Sequence, residues 1–188
     1  MAFAGRLRLA LPAEMVRHHF PPLDTWLRLS PLWSVLALEP GADEAGFELR
    51  LRFDDDDERE ESFHGRFAPR DHDSTWQLRL VGDDTVRSID IEVTALGGAS
   101  ELALLDPAVA DGDGTTRTSL ALWLRATADY ILLAASRRWR ARLSKWFLDR
   151  IWLRMNLTGR RVVILILAYE VVGLALLTAW LIWERLMG

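Results

Sequence analysis

Cysteine is absent from the 188 residues of this chain. Its absence excludes a disulfide framework, a thiolate nucleophile and a thiolate metal site. Several enzyme signatures are missing as well, since the sequence has no G-x-S-x-G element, no glycine-rich phosphate loop and no Ser/His/Asp arrangement. We therefore identify no catalytic residue and predict no cofactor.

Histidine is scarce, with four residues in the whole chain. His18 and His19 are adjacent, so on a helix their side chains point about 100° apart and do not easily face one ion. His64 and His72 have aspartates near them, but no spacing of the H-E-x-x-H kind is present. We interpret all four as surface residues and predict no metal site.

The run from Asp54 to Glu61 is dense in acids but lacks glycine. An EF-hand calcium loop needs a glycine for its sharp turn. We therefore interpret the run as a solvated hairpin loop, with a contact for a basic partner as the alternative.

Positive charge is scarce in the first two thirds of the chain. Residues 1–130 contain 24 acids and 13 bases, whereas residues 131–188 contain 3 acids and 10 bases. Nucleic-acid binding needs a basic surface, so we expect no nucleic acid as a partner. The basic part directly precedes the most apolar segment, which indicates membrane lipid headgroups as its partner.

The longest apolar run extends from Val162 to Trp183. As a helix, its 22 residues measure roughly 33 Å, enough to cross a hydrocarbon core of about 30 Å. Its 13 Val, Ile and Leu residues contribute about −6 kcal/mol to insertion, more than the roughly 3 kcal/mol that the Glu170 carboxylate costs. We predict one transmembrane helix, with a buried helix of a soluble core as the alternative.

Glu170 lies near the middle of this run, and Gly173 follows three residues later. A small residue lets another helix approach, and a carboxyl group can hydrogen-bond across the contact. We predict that this helix docks with a second copy or with a partner subunit. The alternative is a lone helix that protonates Glu170 or shifts it towards the headgroups.

Basic residues are concentrated on the N-terminal side of the run. Nine bases lie at 137–161 and only Arg185 follows, so the positive-inside rule places the N-terminal domain in the cytoplasm. We expect no signal peptide, because Arg6 and Arg8 interrupt the first apolar stretch. These features predict a single-pass protein of the cytoplasmic membrane. The residues predicted to meet the membrane surface are Arg150, Arg154, Arg160 and Arg161.

The N-terminal part shows one strand and two short helices, followed by strand patterns. The strand at Leu7–Leu9 leads into a helix begun by Pro12 and Glu14, and Leu23–Leu29 forms a second helix between prolines. Period-two alternation then predicts an antiparallel meander of about six strands. The stretches with strand character are 32–38, 47–53, 63–67, 76–80, 86–93, 102–105 and, through Leu120, Leu122 and Leu124, 115–126.

A long helix from about Ala128 to Asn156 is predicted to close the domain. Its apolar positions recur every three or four residues, so we expect that face to pack on the sheet and the interleaved bases to approach headgroups. These positions are Ile131, Ala135, Trp139, Leu143, Trp146, Phe147, Ile151 and Met155.

The opening residues LRLALPAEMVRHHF resemble the first strand and the proline-alanine helix start of the START/polyketide-cyclase (SRPBCC) superfamily. Trp26, ahead of Pro31 and Leu32, resembles the segment where a tryptophan precedes the second strand, and the closing helix resembles the C-terminal helix of that superfamily. The resemblance covers roughly residues 3–155. It implies an α+β helix-grip fold, a curved antiparallel sheet around a long C-terminal helix, to which this chain adds one transmembrane helix.

We accordingly divide the chain into a START-like domain at residues 1–156, a basic linker at 157–161, a transmembrane helix at 162–183 and a short tail at 184–188. The resemblance implies an apolar cavity that holds a lipid, sterol, quinone or polyketide, although a solid core needs the same pattern. The candidate lining is Phe47, Leu49, Leu51, Phe63, Phe67, Trp76, Leu78, Leu80, Ile89, Ile91, Leu122 and Leu124.

Three functions remain open at this point. The first is a membrane-anchored module that binds or transfers an apolar small molecule at the cytoplasmic face of a bacterial membrane. The second is an accessory or assembly subunit of a membrane complex with a filled interior. The third is an enzyme of the cyclase or dehydratase type. A large apolar cavity favours the first, a packed interior with an exposed apolar patch the second, and a buried acid–base pair the third.

Overall fold

The structure is a computed structural model that describes residues 5–41, 46–53, 59–71, 75–83, 85–107, 114–155 and 157–187. It consists of two compact units, Met1–Leu153 and Arg154–Gly188. The first unit contains a sheet and four helices, and the second contains one long helix.

The sheet has seven antiparallel strands in the order β1-β7-β6-β5-β4-β3-β2. Every neighbouring pair except β1 and β7 is consecutive in sequence, so β2 to β7 form the predicted meander and β1 joins its far edge. The strands are β1 Gly5–Leu9, β2 Trp33–Pro40, β3 Gly46–Phe53, β4 Glu60–Asp71, β5 Thr75–Val81, β6 Val86–Leu96 and β7 Ala99–Leu105.

The two short helices are α1 Ala13–His18 and α2 Leu23–Arg28. Pro12 and Pro22 stand immediately before them with φ near −60° and −55°, which orients the chain for a helix. Each first turn carries an acid that complements the helix dipole. The predicted pair of short helices between the first two strands is confirmed.

The later helices are α3 Gly114–Ala135, α4 Trp139–Arg150 and α5 Leu157–Met187, and a 3₁₀ turn spans Trp152–Arg154. The strand predicted at 115–126 is therefore wrong, because these residues belong to α3. Alternating leucines suggested a strand, but the buried positions follow a helical spacing of three and four. These positions are Leu120, Trp123, Leu124, Thr127, Ala128 and Ile131.

The predicted continuous helix from 128 to 156 is also wrong, since α3 ends at Ala135 and α4 begins at Trp139. The amide of Ser136 donates to the Leu133 carbonyl at 3.3 Å, and the Ser136 hydroxyl accepts from the Arg138 amide at 3.4 Å. A serine that binds nearby backbone in this way competes with helix continuation.

Helix α3 packs against the inner face of the sheet. It contacts β1 and β7 at one edge, and its Trp123 ring lies 5.2 Å from the ring of Trp33 in β2, at the opposite edge. One helix touches both edges only if the sheet curves around it. The α+β helix-grip-like architecture that the resemblance implied is therefore present, with α3 as the gripped helix.

The core between sheet and helix is continuous. Cross-strand neighbours on the inner face pair apolar with apolar, as Leu49 with Phe63 and Leu78 with Ile89. Such pairs are the unit of stabilisation in an antiparallel sheet. Burial of their apolar surface is the main force that stabilises the first unit.

Candidate functional site

The residues predicted to line an apolar cavity lie inside the first unit, with one exception. Phe67 and Trp76 are partly buried and pack on the same core cluster. Leu122 is an exception, because it lies on the outer side of α3 with 52% of its surface exposed. Placing Leu122 in the lining was wrong, for the same reason as the strand at 115–126. The buried members are Phe47, Leu49, Leu51, Phe63, Leu78, Leu80, Ile89, Ile91 and Leu124.

Three tryptophans occupy the space between the predicted lining residues and α3. The rings of Trp26 and Trp123 stack with centroids 4.4 Å apart, and Trp33 meets Trp123 edge-on at 5.2 Å. The Trp123 indole donates to the Trp26 carbonyl at 3.0 Å, and that of Trp33 donates to the Leu27 carbonyl at 3.1 Å. Where these rings lie, the interior is a packed aromatic core.

Among the described residues, four buried side-chain polar atoms lack a hydrogen-bond partner: Arg17 Nε, the indole nitrogen of Trp26, the hydroxyl of Ser100 and Asp149 Oδ1. Buried polar groups are nearly always paired, and an unpaired one requires an explanation such as a bound water or ligand. The Trp26 nitrogen belongs to the ring stacked on Trp123.

No acid–base pair is found among the buried residues that the structure describes. Their polar members are Ser30, Ser100, Asp106 and Thr127, so they include one carboxyl group and no histidine. The hydroxyl of Thr127 donates to the Trp123 carbonyl at 2.9 Å.

The histidines that the structure describes do not assemble into a site. The rings of His18 and His19 lie 4.8 Å apart, and His64 Nδ1 lies 3.8 Å from Glu48 Oε1 at an exposed position. His72 lies outside the described residues, as does the acidic segment 54–58. Within the described ranges, no group of three or more His, Asp or Glu residues could hold a metal ion.

A polar cluster that the sequence did not predict joins α3 to α4. The Lys145 ammonium donates to Asp149 Oδ2 at 2.6 Å, and the Tyr130 hydroxyl donates to the same oxygen at 3.3 Å. The ammonium also lies 4.9 Å from the centre of the Tyr130 ring. Since Tyr130 is buried on α3, this cluster fixes which side of α4 faces the domain. The i,i+4 spacing of Lys145 and Asp149 was its one signal in the sequence.

The protonation states of the cluster follow from its surroundings. Burial raises the pKa of Tyr130 above 10.0, so its hydroxyl stays neutral near pH 7. Burial by itself lowers the pKa of Lys145, but its hydrogen bonds with Asp149 and Tyr130 outweigh this effect and raise the pKa above 10.5. Lys145 therefore carries its positive charge towards α3.

The charged side of helix α4 therefore faces the domain and its apolar side faces outward, which is the reverse of the usual arrangement in a soluble protein. Its half-buried positions, which face α3, include the charged Lys145 and Asp149. Four of its large apolar side chains face outward, with Trp139 69% exposed, whereas Leu148 is half-buried. The expectation that this apolar face packs on the sheet was wrong, since the break at 136–138 and the Tyr130 cluster turn it away. The outer face of α4 consists of Trp139, Leu143, Trp146 and Phe147.

A groove of about 540 Å³ runs beside the outer face of α4. Its volume lies within the range of small-molecule sites, about 300 to 1,000 Å³. The groove is lined by Leu133, Leu143, Ser144, Trp146, Phe147, Leu148 and Trp152.

Helix α5 forms the second unit together with the residues that precede it. Glu170 is exposed, and a side chain at Gly173 would meet nothing within 4 Å. Arg150 and Arg154 are exposed, while the side chains of Arg160 and Arg161 lie outside the described residues. The exposed large apolar residues of α5 are Val162, Leu165, Ile166, Tyr169, Val172, Leu174, Leu176, Trp180 and Trp183.

Across the residues described, no helix is both long and apolar enough to pass through a membrane.

No protein-family model and no curated protein matches this sequence. Solved structures with a similar shape include a conserved protein from Geobacillus kaustophilus, at 12% identity and a TM-score of 0.49 over 68% of this chain and 92% of that chain.

Two further solved structures are similar to this chain. The di-domain ARO/CYC StfQ from the steffimycin biosynthetic pathway shares 13% identity, with a TM-score of 0.45 over 78% of this chain and 45% of that chain. Ara h 8.0201 shares 13% identity, with a TM-score of 0.44 over 68% of this chain and 95% of that chain. The helix-grip-like assignment rests on the strand order and on the packing of α3 against the sheet.

Proposed function

We propose that this chain is a membrane-associated helix-grip module whose folded domain serves as an interaction part of a membrane assembly. The observation that carries the proposal is the exposed apolar surface of α5, where Leu165 and Leu174 have 68% and 67% of their surface uncovered. Soluble proteins rarely expose large contiguous apolar patches unless these bind a partner or a membrane.

The exposed large apolar side chains of α5 cover one broad side of the helix and reach the opposite side at Leu174. Leu165, Ile166 and Tyr169 lie in one stretch, and in an ideal helix at 100° per residue they already span most of one side. Val172 lies on the same side as Leu165, about 20° away, whereas Leu174 lies on the opposite side. A helix that is apolar on all sides needs an apolar environment on all sides, which a bilayer supplies.

The transmembrane reading of α5 belongs to this proposal. It rests on the complete run from Val162 to Trp183, which includes apolar positions beyond the described ones, among them Ile164, Leu167 and Val171. The Trp180 and Trp183 side chains suit a membrane interface. The basic segment before α5 suits the cytoplasmic side, so the proposed location is the inner membrane with the domain in the cytoplasm.

The test is membrane fractionation of the full chain and of a variant with Leu165→Arg and Leu174→Arg. The parent is expected in the membrane pellet after a high-salt wash, and the variant in the supernatant, because two buried arginines cost about 5–7 kcal/mol. The matched control carries Val81→Arg and Val86→Arg, two exposed apolar positions of the sheet. A parent that stays in the supernatant, or a control that leaves the membrane with the variant, contradicts the proposal.

Pairing of α5 with another helix is part of the same proposal. Glu170 and Gly173 lie one turn apart, where a carboxyl group and a missing side chain suit close helix contact. Glu170→Leu should remain in the membrane but form a smaller complex in mild detergent, and Glu170→Gln should keep part of the association. Identical migration of both variants and the parent, with no crosslink at this depth, means that α5 acts alone.

A second candidate function is binding of a small apolar molecule inside the domain. The unpaired indole nitrogen of Trp26 favours it, because a ligand with an acceptor oxygen would complete that hydrogen bond. Organic extracts of the purified chain, analysed by mass spectrometry, should then contain one apolar compound with such an oxygen. Its absence from a Trp26→Phe variant that remains folded supports this site, and equal retention contradicts it.

A further inference from the structure

We infer that α4 lies flat on an anionic bilayer, with the outer face of α4 inserted among the lipid headgroups. The inference deepens the proposed function, on which it rests, by naming the lipid surface that this second element binds. It starts from the reversed orientation of α4 rather than from α5.

Hydrogen bonds between α4 and α3 fix the orientation of α4, and they remain in place when α4 contacts a membrane. Lys145 and Asp149 are engaged with the buried Tyr130, so the inward side already has hydrogen-bonded partners. Rotating α4 to bury Trp139 and Trp146 would break these bonds and expose the Tyr130 hydroxyl. The apolar side therefore remains outward in the folded domain and needs a covering from elsewhere.

The composition of that outward side suits a headgroup region. Arg140 and Arg142 are exposed beside the outer face, and the guanidinium of Arg140 lies 5.6 Å from the centre of the Trp139 ring. Asp149 is the only acid of α4, and it faces inward. Interfacial helices combine basic residues with Trp, Phe and Leu in this way, and bind anionic lipids more tightly than neutral ones.

The groove beside the outer face supports a lipid rather than a flat protein surface. Its walls are almost entirely apolar, with Ser144 as their one polar side chain. Arg150 is exposed in the last turn of α4, the helix that supplies most of the groove wall. A concave apolar site on a helix with exposed bases fits a single anionic lipid within the bilayer surface.

The chain length is compatible with simultaneous contact by α4 and α5. Only residues 151–156 separate the end of α4 from the start of α5. Six extended residues reach about 20 Å, less than the thickness of a bilayer. If α5 enters the bilayer, α4 therefore remains within reach of the same surface.

The test uses spin labels on the full chain, since the absence of cysteine allows single labelled positions. One label replaces Leu143 on the outer face of α4, one replaces Leu174 on α5, and a third replaces the exposed Thr94 on the sheet. Accessibility to oxygen, which concentrates in lipid, and to a water-soluble nickel chelate is measured in phosphatidylglycerol-rich vesicles and in vesicles of phosphatidylcholine alone.

We expect the Leu143 label to gain oxygen access and lose chelate access in the anionic vesicles only, while Thr94 stays in water. A Leu143 label that stays in water in both vesicles overturns the inference, and the Leu174 label then reports separately on α5. If the Leu174 label is in lipid and the Leu143 label is in water, the proposed function stands and the inference about α4 is overturned. If the Leu143 label is in lipid and the Leu174 label is in water, α4 contacts the bilayer but α5 does not insert.

Charge is tested by a matched pair of double variants. Arg140→Gln with Arg142→Gln should lower the equilibrium constant for docking at Leu143 by about 30-fold, because each arginine near an anionic surface adds about fivefold to that constant. Arg66→Gln with Arg79→Gln removes the same charge from exposed sheet positions and should leave docking unchanged. Equal effects of the two pairs, or protection of Leu143 in native membranes but not in lipid vesicles, would assign the face to a protein and overturn the inference.

Discussion

The inner surface of the sheet and the outer surface of α4 are both apolar, yet they differ in whether anything covers them. Ile91 and Leu78 on the sheet are completely buried, and Trp123 of α3 lies against the same core. Trp146 on α4 and Leu174 on α5 are more than half exposed. The difference indicates that the apolar residues of the sheet maintain the fold, whereas the apolar side chains of α4 and α5 carry the proposed binding surface.

The largest effect is expected from the proposed membrane topology of α5. With α5 in a membrane and the basic segment in the cytoplasm, a cysteine at Gly188 should react fully with an impermeant thiol reagent on intact cells. A cysteine at Thr94, on the folded domain, should react only after lysis. Labelling of Thr94 on intact cells, with Gly188 protected, would reverse the proposed orientation.

The adjacent residues Leu122 and Trp123 of α3 lie on the surface and in the core, so substitutions at the two positions compare these regions directly. Trp123→Ala should lower the free energy of unfolding by about 3–5 kcal/mol, because the buried indole fills the core and donates a hydrogen bond. The neighbouring exposed Leu122→Ala should change it by less than about 0.5 kcal/mol. Urea unfolding in mild detergent, followed by tryptophan fluorescence, measures both. Similar losses at the two positions would show that the helical assignment of this segment is wrong.

Overpacking distinguishes a solid core from a ligand cavity. In the packed interior, Leu78→Trp or Ile91→Trp should destabilise the domain by about 1–3 kcal/mol, since both side chains are fully buried. The exposed Val86→Trp on the same sheet is the control. A Leu78→Trp chain that keeps its stability but loses an apolar compound retained by the parent would instead indicate a cavity.

The smallest effect concerns pH and the contact between α3 and α4. Because the folded-state pKa values of Lys145 and Tyr130 are raised, their contribution to stability is full below about pH 10 and is lost as the pH rises through those values. Lys145→Arg keeps its charge above pH 12 and should lose less stability between pH 9 and 11. A constant difference between parent and variant across that range contradicts the role of Lys145.

The strands and short helices were predictable because their signals are local. Phe47, Leu49 and Leu51 alternate with polar residues over a full strand, and the prolines before α1 and α2 fix where those helices begin. A strand was wrongly predicted at 115–126 because Leu120, Leu122 and Leu124 alternate with other residues as in a strand. The position of Trp123 decides for a helix, since only a helical spacing buries it together with Leu120.

The outward face of α4 was not predictable from periodicity alone. A stripe of Trp139, Leu143 and Trp146 reads the same whether it faces a core or a membrane. What decides its direction is a contact with Tyr130, about 15 residues earlier on another helix, through Lys145 and Asp149. A pattern along one segment contains no information about such a partner.

The central claim is that the exposed apolar helices, and not the interior, form the binding surface of this protein. Flotation of the purified full chain with phosphatidylglycerol-rich vesicles, in a density gradient at high salt, tests it most directly. The account predicts that the parent rises with the vesicles and that the chain with Leu165→Arg and Leu174→Arg stays at the bottom. A parent that stays at the bottom, folded and monodisperse, would contradict it.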